Sequence, residues 1–214
     1  MKNIAVLGSG VVGQVLADGF LKHGYTVIRG SRDVAKLADW VTKAGENASL
    51  GTFEQAAKGA EVVVLAVKGT AAESVVQSVA EELDGKVVLD ATNPIADVPP
   101  ADGVLAFFTG PNDSLMERLQ KLAPGARFVK AFSSVGNPSF VNPDFGGVRP
   151  TMFICGNDPE AKEETRAVLN QFGWDTEDMG GVLAARAIEP LCMLWCIPGF
   201  LRNQWTHAFK LIKR

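Results

Sequence analysis

The sequence predicts an α/β domain built on a doubly wound parallel sheet, and three observations carry that reading. In the first half, short β-branched runs alternate with amphipathic stretches at helical spacing, the order that a parallel sheet covered on both faces requires. The connections are short, and several helical stretches open with Ser, Thr or Asp in the capping position. At 214 residues, 47% apolar and 21% charged, the chain is long enough for one domain with a full core and too short for two enzyme domains.

Taken in order, Asn3 to Leu7 is an apolar run of strand length that ends in glycine, and Val11 to Lys22 continues it as an amphipathic helix. Further strands are expected at Thr26 to Arg29, Glu61 to Val67, Lys86 to Asp90 and Arg127 to Phe132, with a weaker pattern at Val104 to Phe108. Helices are expected at Val34 to Ala44, Thr52 to Lys58, Ala71 to Leu83 and Asp113 to Leu122. Segment 93–103 holds three of the 11 prolines and two aspartates, which predicts an irregular surface loop. After Phe132 a Gly/Pro-rich stretch leads into a strand-like TMFIC, a helix from Pro159 to Phe172 and a helical C-terminus. These form a small C-terminal α/β extension of the sheet.

Composition excludes several classes of partner. With 24 acidic against 21 basic residues and a net charge of -3, no cationic surplus exists to neutralise a nucleic acid backbone. No stretch is expected to approach the roughly 18 apolar residues that span a bilayer, so no membrane partner is expected and the chain reads as cytoplasmic. Cys155, Cys192 and Cys196 are too few for a disulfide framework, and two histidines without a C-x-x-C pair make no metal site. Cys192 and Cys196 share a helix face, but their apolar surroundings offer no cation to activate a thiol, so they read as small buried hydrophobes.

The strongest motif is Gly8-Ser9-Gly10-Val11-Val12-Gly13, directly between the first strand and its helix. Gly8 permits the tight turn, Gly10 lets backbone approach a pyrophosphate, and Gly13 allows close helix–strand packing. Ser9, Val11 and Val12 would donate backbone hydrogen bonds at the helix N-terminus. In this β-α-β context the motif predicts a Rossmann-type dinucleotide site, with residues 1–132 as its core and 133–214 as a C-terminal extension that forms a cap and a dimer interface, all in one compact unit.

The end of the second strand selects the dinucleotide. NAD sites place a carboxylate there, whereas this chain reads Arg29-Gly30-Ser31-Arg32, with Lys36 a helical turn further on. Ser31, Arg32 and Lys36 supply the charge and donors that a 2′-phosphate needs, so NADP(H) is expected. Asp33 is expected as the N-cap of the following helix.

The segment LGSGVVGQVLADGFLKHGYTVIRGSRD resembles the opening of the coenzyme F420-dependent NADP oxidoreductases, whose dinucleotide fold also occurs in the STEAP metalloreductases. VKAFSSVGNPSFVNPDFGG, PTMFICGNDPEAKEE and GWDTEDMGGVLAARAIEPLCMLW resemble the bacterial branch, so the likeness covers nearly the whole chain. Two departures stand out: Val67-Lys68-Gly69 where deazaflavin-reducing members commonly place a Pro, and Lys130-Ala131-Phe132-Ser133-Ser134 where related chains often read KAFNT. The resemblance therefore implies the NADP site more firmly than the hydride partner.

Strand ends of a doubly wound sheet deliver their residues to the ligand crevice, which puts Ala66, Val67, Lys68, Asn93, Pro94 and Ser133 beside the dinucleotide. Asn93 is either a contact to the nicotinamide ribose or carboxamide or an Asx turn before Pro94. Lys68 contacts the pyrophosphate or an acidic substrate, or is a solvated loop lysine. Phe132 with Ser133 forms an acceptor pocket, or Phe132 belongs to the core. Arg186 is expected to pair with Glu189 three residues on. No protonatable side chain is expected as a catalytic acid or base, because His23 and His207 map away from the crevice; hydride transfer between two flat rings needs mainly alignment.

Three functions follow from this reading. The first is an NADP(H)-dependent oxidoreductase moving hydride to or from a planar heterocycle such as coenzyme F420, FMN or FAD. The second is an NADPH-dependent flavin or ferric reductase, and the third a non-catalytic NADP(H) sensor. The apolar C-terminal segment, with Met193, Leu194, Trp195, Phe200 and Trp205, predicts a homodimer.

Overall fold

In a computed structural model, which describes residues 2–214, β1 (Asn3–Leu7), β2 (Thr26–Gly30), β3 (Ala48–Gly51), β4 (Val62–Leu65), β5 (Val87–Asp90) and β6 (Arg127–Lys130) form one parallel sheet in the order β3-β2-β1-β4-β5-β6. The strands are short apolar runs, and successive side chains alternate between its two faces. Ile4, Val6, Val62, Val64, Val87 and Leu89 enter one core cluster, while Ala5, Leu7, Val63, Leu65 and Val88 enter the other.

Helices cover both faces: α1 (Val11–Lys22), α2 (Ala38–Ala44), α3 (Phe53–Lys58), α4 (Gly69–Ser78) and α5 (Leu115–Leu122). Thr52 caps α3 in a full capping box with Gln55, and the Ser114 hydroxyl accepts from the Glu117 N–H at the start of α5. The C-terminal extension contains β7 (Thr151–Ile154), α6 (Pro159–Gln171), β8 (Asp175–Asp178), α7 (Ala185–Ile188) and α8 (Pro190–Arg202). β7 and β8 pair in parallel, and an antiparallel bridge between Lys130 and Cys155 ties them to β6.

Several expectations need correction. Val104 to Phe108 is no strand: it makes isolated bridges inside the loop, Ile95 with Phe107 and Ala101 with Val104. β3 and β8 are additional strands. The helix expected over Val34 to Ala44 begins as a 3-10 turn at Val34–Leu37, and the one expected to reach Leu83 stops at Ser78. The C-terminus is helical only to Arg202, where Asn203 turns left-handed at φ 53°. The tail then runs back along β7, with the Thr151 N–H donating to the Phe209 carbonyl at 2.8 Å.

The membrane expectation also changes. The helical run Val182–Arg202, 21 residues with a mean hydropathy of 1.4, is by length and composition apolar enough to cross a bilayer. One third of it is buried, it is interrupted by the start of α8, and it carries the ion-paired Arg186 and Glu189. It is weak evidence for a span.

Candidate functional site

The sheet register lines up the C-terminal ends of five strands: Leu7 pairs with Gly30 and Leu65, Leu65 with Asp90, and Asp90 with Lys130. The residues that follow, Gly8, Ser31, Ala66, Ala91 and Ala131, therefore lie along one crevice. At its centre is the glycine loop. Gly8 has φ +146°, and a Cβ there would stand 2.3 Å from the Ala66 carbonyl oxygen. A Cβ on Gly13 would lie 2.7 Å from the Gly8 oxygen, so only glycine lets α1 start this close to β1. Gly10 faces open space and gives α1 no side-chain cap, leaving the N–H groups of the first turn at Val11 and Val12 for an anion.

A cleft of about 550 Å³ runs from this loop to the end of β2. It brings together Gly8, Ser9, Gly10, Ser31, Arg32, Lys36, Ala66, Val67 and Lys68, all expected from the sequence, and adds Asp33. Its apolar wall of Phe53, Ala71 and Val75 was not expected; Phe53 and Ala71 stand in the first turns of α3 and α4, and Val75 lies one turn beyond Ala71. Ser31 is buried, and its oxygen accepts from the Asp33 N–H at 3.2 Å, which leaves its own hydrogen free to donate. Arg32 and Lys36 are exposed, with no side-chain ion pair among the described residues. Asp33 occupies the N-cap position, yet its carboxylate makes no cap bond. Lys68 is exposed and ion-paired with Asp97.

At the other end of the crevice, Asn93 Nδ2 donates to the Ser133 carbonyl at 3.0 Å. Asn93 Oδ1 and Ser133 Oγ are buried without a partner, beside the buried Pro94. Orphaned polar atoms inside a protein are costly, and a bound polar ligand would satisfy both. The Phe132 ring is not part of this pocket. With φ +61° its backbone turns the side chain into the core, where it lies 5.2 Å from Phe140 and 6.2 Å from Phe172. This corrects the acceptor-pocket reading of Phe132.

The sequence did not reveal the buried charges behind the site. Lys130 lies 2.7 Å from Asp90 Oδ2 and 2.9 Å from Glu189 Oε1, and donates to the Thr92 carbonyl at 2.9 Å. Burial works against its charge, but the two carboxylates outweigh that cost and hold its pKa above the ordinary lysine range. Glu189 also accepts from the Leu115 and Met116 N–H groups at the start of α5. Arg186 therefore does not pair with Glu189; it forks onto Glu117 at 2.7 and 2.9 Å, and this bond with Arg186 pulls the Glu117 pKa down. Arg29, also buried, donates from Nη2 to the carbonyls of Gly8 and Gly10.

The remaining candidates sit apart from the crevice. His23 contacts Asn142 Oδ1 at 3.2 Å, and His207 stacks on Trp195 while its Nε2 meets the Trp195 carbonyl at 2.9 Å. Cys192 is buried and Cys196 half-buried on one face of α8. A bond from Cys196 together with burial pushes the Cys192 thiol up, as suits a core position.

Comparison with known proteins agrees with this geometry. Residues 3–94 match the family model described as NADP oxidoreductase, coenzyme F420-dependent. The chain is 30% identical over 202 residues to the F420-dependent NADP reductase of Methanocaldococcus jannaschii, covering 89% of each. It is 29% identical to Metalloreductase STEAP3 of Rattus norvegicus, covering 92% of this chain but only 38% of that protein. A provisionally assigned F420-dependent NADP-reductase from Arthrobacter sp. FB24 superposes over 100% of both chains with a TM-score of 0.92 at 29% identity. The chain belongs to the coenzyme F420-dependent NADP oxidoreductase family and is an NADP-dependent oxidoreductase of that type.

Proposed function

We propose that this chain transfers hydride between NADP(H) and coenzyme F420, with FMN or FAD as further acceptors, and that the crevice residues described above hold the dinucleotide. The observation that carries the reading is the cleft joining the glycine loop to the unpaired cations Arg32 and Lys36. The loop N–H groups of Ser9, Val11 and Val12 bind the pyrophosphate, and Ser31, Arg32 and Lys36 bind the 2′-phosphate. Phe53, Ala71 and Val75 offer the adenine an apolar wall. Asn93 Oδ1 and Ser133 Oγ fix the nicotinamide end, which sets one ring face toward the acceptor.

The bound nicotinamide supplies or accepts the hydride. The protein's part is alignment and exclusion of water, with Ala66 and Pro94 as small apolar walls; well-oriented reactants gain most of their acceleration this way. Residues 1–132 form the dinucleotide-binding core, and residues 133–214 form the cap and a homodimer interface, in one compact cytoplasmic unit. Exposed Leu183, Leu194 and Leu201, at 60%, 55% and 54%, support the interface.

The likeness to a metalloreductase favours NADPH-dependent flavin or ferric reduction as the second reading. Mixing purified protein with NADPH and, separately, F420, FMN, FAD and ferric chelates while following absorbance discriminates them. Fastest turnover with F420 supports the proposal. Turnover with flavin or ferric chelate but not with F420 supports the second reading, and binding of NADPH without any turnover points to a sensor.

A further inference from the structure

Arg29, near the end of β2, lines a second cleft with Ser9, Lys36 and Trp40, and its guanidinium is bonded to the glycine loop. It stands on β2 opposite Val6 of β1 and Leu50 of β3, and it is only 1% exposed. Its Nη2 donates to the Gly8 oxygen at 3.0 Å and to the Gly10 oxygen at 3.3 Å. Its guanidinium lies 4.9 Å from the centre of the Trp40 ring, and Trp40 Nε1 is anchored on Asp18 Oδ1 at 2.7 Å. Arg29 Nε has no partner, so the group is oriented for the loop carbonyls at the expense of its own remaining donor.

A trans peptide plane points the carbonyl of one residue and the N–H of the next in opposite directions. Drawing the Gly8 carbonyl toward Arg29 therefore turns the Ser9 N–H away from it, to the side where Ser9 and Gly10 line the cleft, while the Gly10 carbonyl, which also accepts from the Gln14 N–H at 3.0 Å, leaves the Val11 N–H at the open start of α1. The cation also offsets the negative ends of two carbonyls that would otherwise repel an anion bound across the loop. The backbone alone pins the loop only once to β2, through the Gly8 N–H on the Gly30 carbonyl at 2.9 Å.

We infer that Arg29, held by Trp40 and Asp18, is a positioning residue that presets the glycine loop for a pyrophosphate. The inference rests on the NADP(H) reading above. It separates two ends of one ligand: loss of Arg29 weakens whatever needs the pyrophosphate and spares whatever needs only the 2′-phosphate and adenine.

The test compares NADP⁺ with 2′-AMP, which carries the 2′-phosphate but no pyrophosphate, on the full chain. Arg29→Met should lose at least about tenfold in NADP⁺ affinity and change less than about twofold toward 2′-AMP, with kcat at saturating NADPH nearly retained. Arg29→Lys, whose ammonium keeps the charge without the fork, should recover part of the loss. Trp40→Leu leaves Arg29 in place but frees it, and should cost NADP⁺ about threefold with 2′-AMP unchanged.

Unchanged NADP⁺ affinity in a folded Arg29→Met protein, or equal losses for both ligands, would overturn the inference. If Arg29→Met does not fold, Trp40→Leu decides by the same comparison. Failure of the unmodified protein to bind either ligand would instead refute the NADP(H) reading itself.

Discussion

Lys130 and Glu189 meet 2.9 Å apart in the interior, one closing the last paired strand of the sheet and the other standing immediately before α8. Through Asp90 and the Thr92 carbonyl, the same ammonium holds the peptide that precedes Asn93. One buried cation thus joins the Asn93 end of the crevice to the C-terminal helix.

Replacing Lys130 with Met leaves two buried carboxylates without their cation. The expected cost is about 3 to 5 kcal/mol of stability, read from denaturant unfolding. The pKa of Lys130 is raised above its ordinary 10.5, so the contribution of its charge is complete below that pH and declines only as pH rises through the higher folded value. Wild-type stability should therefore show no loss from this group at neutral pH. A Lys130→Met protein as stable as the wild type would contradict the assignment.

The proposed preference for NADP(H) is assigned to Ser31, Arg32 and Lys36, which line one cleft. Charge-assisted hydrogen bonds contribute about 1.5 to 3 kcal/mol each, so NADP(H) should bind at least about tenfold tighter than NAD(H). Arg32→Asp should erase that preference by placing a carboxylate where the 2′-phosphate would lie. Calorimetric titration showing equal affinities in the unmodified protein would remove the basis for the assignment.

Neither histidine reaches the crevice, and each is engaged elsewhere. His23→Ala and His207→Ala should change the single-turnover hydride rate by less than about tenfold, below the ~10²–10⁴-fold effect of losing a general acid or base. A larger fall in a folded variant that binds NADPH normally would reveal a missed proton donor.

The homodimer is tested by light scattering at micromolar concentration, where twice the chain mass is expected. Leu194→Lys with Leu201→Lys, both on the exposed side of α8, should give a monomer that remains folded. A monomeric mass for the unmodified chain would refute the interface.

The strands at the heart of the sheet were legible as short apolar runs: Ile4–Leu7 stops at Gly8, whereas Val62–Leu65 sits in an apolar run that continues to Val67 and so was expected to extend that far. β8 was not. Its sequence, Asp-Thr-Glu-Asp, reads as solvated loop, and pairing with β7 plus ion pairs of Asp178 to Lys162 and Glu177 to Lys213 make it a strand. The cleft was legible where chemistry is local, at Gly8, Ser9 and Gly10 and at Ser31, Arg32 and Lys36. It was illegible where partners lie far apart in the chain: Arg186 meets Glu117, 69 residues away, rather than its helical neighbour. Phe132 was ambiguous for a different reason: an aromatic at a strand end can face crevice or core, and its ring is buried beside Phe140 and Phe172, which lie elsewhere in the chain.

The central claim is direct hydride transfer between NADP(H) and a deazaflavin. A single turnover with NADPH deuterated at the transferring position of the nicotinamide, and F420 as acceptor in ordinary water, tests it most directly. The account predicts that the label appears, carbon-bound, on the reduced F420 ring. NADPH oxidation with no label on the acceptor, or no oxidation by F420 while NADPH is bound, would contradict it.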